Sequence, residues 1–238
     1  MTRALVRTIA FRGFAMVVVL GAARYAHAQG DTARYPSRAP VDQYLMADRN
    51  AEIALARSAA PESISRDADV MVLGRHGYET AVKGTNGFVC VVERSWTTDR
   101  GDPEFWNPKL RGPICFNPPA ARTYLPITIK KTEWILAGGS EAQMFDSVNV
   151  AFDTKALPAL EPGAMSYMMS AHGYLNDHDG HWHPHLMFFV PQTDAASWGA
   201  DRPGSPILAT PDVPDRLTVF LVPLGKWSDG TVAPAYQH

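Results

Sequence analysis

The sequence predicts an α+β fold: a mainly antiparallel β-sheet in two meander sections, with two to three helices packed on it. Three observations lead there. The hydrophobic period changes along the chain in the order helix, strands, helices, strands. Short β-prone runs are separated by the turn signals "RHG" and "TNG". A hydrophobic fraction of 46% with six tryptophans supplies a large core, so disorder is not the expected state.

The elements follow in order. "VDQYLMADRNAEIALARSAAP" reads as a helix over 42–60, with Asp42 as N-cap and Pro61 as its stop. "ADVMVLG", "YETAVKG" and "GFVCVVERSW" read as three strands of an antiparallel meander. "FVCVV" is apolar at every position, as in a strand covered on both faces. Residues 97–119, rich in Pro and Gly, read as a long surface connection. A helix is expected over 119–137 with a kink at Pro126, and another from Ser140, where Ser140 and Gln143 form a capping-box pattern. "AMSYMMS", "HLMFFVP" and "LTVFLVPL" complete the strands, and "KWSDG" reads as a turn over Trp227.

The first residues carry a different signal. Arg3, Arg7 and Arg12 precede an apolar run from Phe14 to Ala23, and Ala26-His27-Ala28 is a small-x-small cleavage pattern. This is the composition of a secretory signal peptide over residues 1–28, and the apolar run is too short for a transmembrane helix. Residues 29–40 read as an extended, mobile leader and 41–238 as a single globular α+β domain. The expected location is secreted or periplasmic, with no transmembrane segment in the mature chain. Four of the 22 basic residues lie in 1–28, leaving 18 against 24 acidic ones, and that acidic balance argues against nucleic acid as a partner. Cys90 and Cys115, each in apolar surroundings, are expected to form a disulfide in an oxidising compartment. A thiol nucleophile with His76 as base has no local feature to support it.

The densest chemistry lies in "NDHDGHWHPHLMFFVP", residues 176–191. Pro184 opposes a helix, which removes the His-Glu-x-x-His arrangement of zinc proteases. In an extended chain His181, His183 and His185 share one face, and adjacent members of that row can converge on one ion. His183 with His181 or His185 then needs a third ligand from His178, His172 or His76. Zinc or copper are the expected metals, with Met187, one strand position pair beyond His185, as an added ligand for copper. "HWH" resembles the copper-binding segments of multicopper oxidases over three residues, but the chain lacks their other His-x-His and His-Cys-His segments. The parts that define cupins, metallo-β-lactamases and EF-hands are also missing.

Other patterns are thinner. Asp99, Asp102 and Glu104 beside Trp106 have the residue types of a sugar cleft. Ser166 in "GAMSYMM" lacks the glycine-framed elbow of a nucleophile. The sequence therefore supports an exported protein binding a small molecule or a transition metal through its His/Met-rich strand. The alternatives are a non-catalytic envelope or interaction protein with incidental histidines, and a metal-dependent hydrolase. Whether the chain is an enzyme, and its substrate and protein partners, are not written in these patterns.

Overall fold

Eight strands form one sheet in the computed structural model, in the order β2-β1-β3-β4-β5-β6-β8-β7. The structure describes residues 34–177 and 179–235, all within the compact unit Ala33–His238. The expected signal segment, residues 29–33 of the expected leader and His178 lie outside the described residues. The strands are β1 (Asp69–Gly74), β2 (Gly77–Val82), β3 (Val89–Glu93), β4 (Gly112–Phe116), β5 (Met165–Met168), β6 (His185–Pro191), β7 (Leu208–Asp212) and β8 (Leu217–Pro223). Every pairing is antiparallel except β1 with β3, so the α+β, mainly antiparallel class holds.

The first three strands are not the expected meander. β2 folds back on β1 as a hairpin at the sheet edge, and the chain then crosses β1 to lay β3 parallel on its other side. Two further strands sit where turn residues obscure the pattern. "GPICF" is β4, inside the expected long connection, and "LATPD" is the edge strand β7. An edge position tolerates Pro211, whose missing N–H would disrupt a central ladder.

Successive residues of β3 point to opposite faces, and both faces are covered. Cys90 and Val92 pack with Cys115 against Ala56, Ala59 and Ala60. These alanines belong to α1 (Arg49–Arg57) and the turn after it. Val91 faces the other way, with Ile114, Phe116, Met168 and Phe189, beneath Ala120 and Leu125. That second layer holds α3 (Pro118–Thr123), α4 (Leu125–Leu136) and α5 (Glu141–Asp153). A short α2 (Glu62–Ser65) follows Pro61.

Helix boundaries depart from expectation at two places. The expected helix over 42–60 is a 3₁₀ turn at Val41–Gln43 followed by α1. The cap is Asp48, not Asp42, because the Asp48 carboxylate accepts the N–H groups of Asn50 and Ala51. The expected helix over 119–137 breaks at Tyr124 into α3 and α4, with Pro126 in the first turn of α4, where no intrahelical N–H is needed. The Ser140–Gln143 capping box opens α5 as predicted. Within residues 34–40, Arg38 donates to the Ile135 carbonyl, and the Ala39 N–H donates to the Tyr44 hydroxyl.

A fully buried ion pair fixes the end of β3. Arg94 donates to Glu52 on α1 at 2.8 Å and to the Tyr44 carbonyl at 2.7 Å, and Glu52 also accepts the Leu73 N–H. The disulfide Cys90–Cys115 joins directly opposed residues of β3 and β4. No helix among the described residues is long and apolar enough to cross a membrane. Closing a 25-residue separation constrains the unfolded chain, so the Cys90→Ala/Cys115→Ala variant should lose roughly 3–4 kcal/mol in urea denaturation. An unchanged midpoint would show that the bond is not structural.

Candidate functional site

Register decides what the helical layer covers. Directly opposed residues of antiparallel strands share a face. His185 opposes Met168 and Pro223, Met187 opposes Ser166 and Leu221, and Val219 opposes Phe189 and Thr210. His185, Met187, Leu221, Val219 and Thr210 therefore line the same side of the sheet as the Val91–Ile114–Phe116 core. The helices do not fill this side completely. A cavity of about 290 Å³ remains, with apolar walls that include Leu110, Met168, Trp182, Met187, Val219 and Leu221. Gly112 keeps one end open: a Cβ there would come within 3.3 Å of the Trp182 ring and 3.5 Å of Glu93 Cβ.

The other wall is acidic. Glu93, Asp99, Asp102 and Asp212 line the cavity. Glu93 occupies a core-facing position at the end of β3, where the strand's alternation calls for an apolar residue. Its carboxyl accepts the Thr128 hydroxyl at 3.0 Å. Thr128, Lys131 and Thr132 are all buried on the inward face of α4, although that face would ordinarily be apolar. Thr132 is held in turn, accepting from Trp96 Nε1 at 2.9 Å and donating to the Thr128 carbonyl. Lys131 Nζ donates to Asp215 Oδ2 at 2.7 Å and lies 5.4 Å from the centre of the Phe145 ring. The Asp215 N–H donates to Asp212 Oδ1 at 3.1 Å, which orders the turn between β7 and β8.

Burial sets the protonation of this cluster. Desolvation pushes Glu93 up to about 7, against the smaller pull of the Thr128 hydroxyl and the Lys131 ammonium. Desolvation and the Asp215 carboxylate push Asp212 up to about 7 as well. Lys131 stays charged: burial opposes its charge, but Asp215 and Asp212 outweigh that and raise its pKa. The Tyr124 phenol is raised by burial and by these same carboxylates.

The expected histidine row is only partly kept: His183 and His185 line one small pocket together, while His181 is exposed. Strand β6 begins only at His185, which is 6% exposed and lines the cavity. Its Nδ1 lies 2.7 Å from the His183 carbonyl and so carries the proton, leaving the Nε2 lone pair without a partner among the described residues. Burial lowers its pKa, keeping the ring neutral. The rings of His181 and His183 also lie near Trp227, with ring centres at 5.2 and 6.5 Å. His76 sits in the β1–β2 turn, separated from β6 by β3, β4 and β5, and His172 is exposed. Among the described residues, no three His, Cys, Asp or Glu side chains are grouped to hold a metal ion. Met187 lines the cavity beside His185. Of the expected carboxylates, Asp99 and Asp102 reach the cavity, whereas Glu104 accepts from Asn107. Ser166 is fully buried among core residues.

Fold and site together define an α+β protein with a partly open cavity that is apolar on one side and acidic on the other. No family model, curated protein or solved structure matches the chain. The sequence reading missed Glu93, Thr128, Lys131, Asp212 and Asp215. Two signals for them were present: a glutamate at a core-facing position of an otherwise apolar strand, and a lysine on the helical stripe Tyr124, Thr128, Lys131, Ile135.

Glu93 has a folded pKa of about 7 against 4.5 for the free group, so the folded state binds more protons in that window and stability falls as pH rises through it. Glu93→Gln should match the wild type near pH 4.5 and exceed it by roughly 3 kcal/mol at pH 8 in urea denaturation. An equal difference at both pH values would contradict the burial of this carboxyl.

Proposed function

We propose that this chain is an exported protein that binds a small organic molecule in the cavity between the β5–β6–β8–β7 half of the sheet and the helical layer. The observation that carries this reading is the cavity itself: about 290 Å³, apolar on one side, with buried Glu93 and His185 and the less buried Asp102 and Asp212 on its lining. Small-molecule sites combine these features, and carboxyls with displaced pKa values in a cleft mark a candidate functional site. Export is supported by the leader pattern at residues 1–28 and by the disulfide, a bond of oxidising compartments.

The described residues favour a small molecule over a metal, because no three His, Cys, Asp or Glu side chains among them are grouped to hold an ion. A catalytic reading has one observation in its favour: carboxyls near 7 and a neutral imidazole line one cavity, a set suited to general acid–base chemistry.

Methionine methyl groups give a local test. Met168 and Met187 line this cavity, while Met144 lies at a separate groove along α5. In methyl-labelled protein, titration with the neutral probe indole-3-ethanol should shift Met168 and Met187 saturably and leave Met144 in place. Movement of Met144 alone, or no shift at millimolar probe, would overturn the assignment.

A further inference from the structure

The polar side of the cavity is one-sided in charge and in hydrogen bonding. Its lining includes four carboxyl groups, Glu93, Asp99, Asp102 and Asp212, and no lysine or arginine. The nearest cation, Lys131, is already engaged: its ammonium donates to Asp215 and packs over Phe145. An anion entering the cavity would meet carboxylates without a free cation to receive it.

A second observation, independent of the carboxylates, points the same way. His185 is 6% exposed and lines the cavity, yet its Nε2 has no partner among the described residues. Because Nδ1–H donates to the His183 carbonyl, Nε2 is an acceptor. The side-chain polar atoms buried without a partner do not include Nε2, so it stays open to solvent on the cavity lining, as an acceptor that a ligand N–H can meet. Glu93 has the matching requirement: being buried, its charged form needs a positive partner.

We propose that the ligand is an organic cation, an amine or guanidine on a compact apolar body. Its charged nitrogen pairs with Glu93 and Asp212, an N–H donates to His185 Nε2, and its body lies against Met168, Trp182, Met187 and Leu221. The cavity volume equals about ten water molecules, which limits the ligand to a small amine. This rests on the cavity reading above and adds the ligand's charge and donor pattern.

Three probes of similar size separate charge from shape: tryptamine (cation), indole-3-ethanol (neutral) and indole-3-propionate (anion). Affinities are read from the Met168 and Met187 methyl resonances of the full folded chain. Tryptamine should bind roughly tenfold or more tighter than indole-3-ethanol, with indole-3-propionate weakest. Glu93→Gln/Asp212→Asn should bring the tryptamine preference to within about twofold while leaving indole-3-ethanol unchanged. His185→Phe, which keeps the ring volume, should weaken tryptamine severalfold. Equal binding of all three probes by the wild type would overturn the cation assignment and leave the cavity reading standing. Tightest binding of indole-3-propionate would overturn it too, with Lys131 as the anion's partner. Binding of none would overturn both readings. The wild-type series decides the question even if a variant fails to fold, and thermal unfolding identifies such a variant.

Discussion

The ion pair between Lys131 and Asp215 is the interaction on which the inner side of this protein depends. Both side chains are almost completely buried, and they join the middle of α4 to the turn between β7 and β8. Pairing keeps the lysine charged inside the protein, and the same aspartate places Asp212 through its backbone N–H. An apolar pair of similar volume would often be as stable, and removing one partner alone leaves an uncompensated buried charge. Retaining a charged pair there makes sense if the charge serves the neighbouring carboxyls. Lys131 draws down the pKa of Glu93 and Asp212, while burial drives both upward. The outcome is a pair of carboxyls poised near neutrality beside an apolar cavity.

A second buried ion pair makes a useful contrast. Arg94 and Glu52 are as deeply buried, but the arginine also donates to the Tyr44 and Val92 carbonyls and the glutamate accepts the Leu73 N–H. These bonds consume its donors inside the fold, and neither residue lines the cavity. Adjacent residues of one strand end, Glu93 and Arg94, thus serve different purposes. Glu93 faces the cavity, and Arg94 ties the sheet to α1.

Much of the fold was legible because a regular pattern tracks local backbone geometry. The runs that became β1, β3, β5, β6 and β8, the capping box at Ser140 and the cysteine pair are all local features of composition and spacing. β4 and β7 were hidden because each is short and contains proline, which signals a turn in isolation and is tolerated in place by particular pairings. The parallel β1–β3 contact was hidden for a different reason: hairpin signals specify neighbours in sequence, not which side of β1 the next strand joins. The site was legible only in part. "HWHPH" drew attention through its histidine count, but Pro184 delays the strand until His185, so only His185 turns inward. Glu93, Lys131, Asp212 and Asp215 come from a strand, a helix, an edge strand and a turn. No short window of sequence contains their relation.

Burial at the cavity wall pushes the carboxyls of Glu93 and Asp212 towards neutrality, and the Glu93 carboxyl itself reports on it. A ¹³C NMR titration of the Glu93 side-chain carboxyl, assigned by comparison with Glu93→Gln, reads its midpoint directly. A buried Glu93 should give a midpoint close to 7. A midpoint at the ordinary glutamate value of 4.5 would show a solvated carboxylate and contradict the cavity's assigned character.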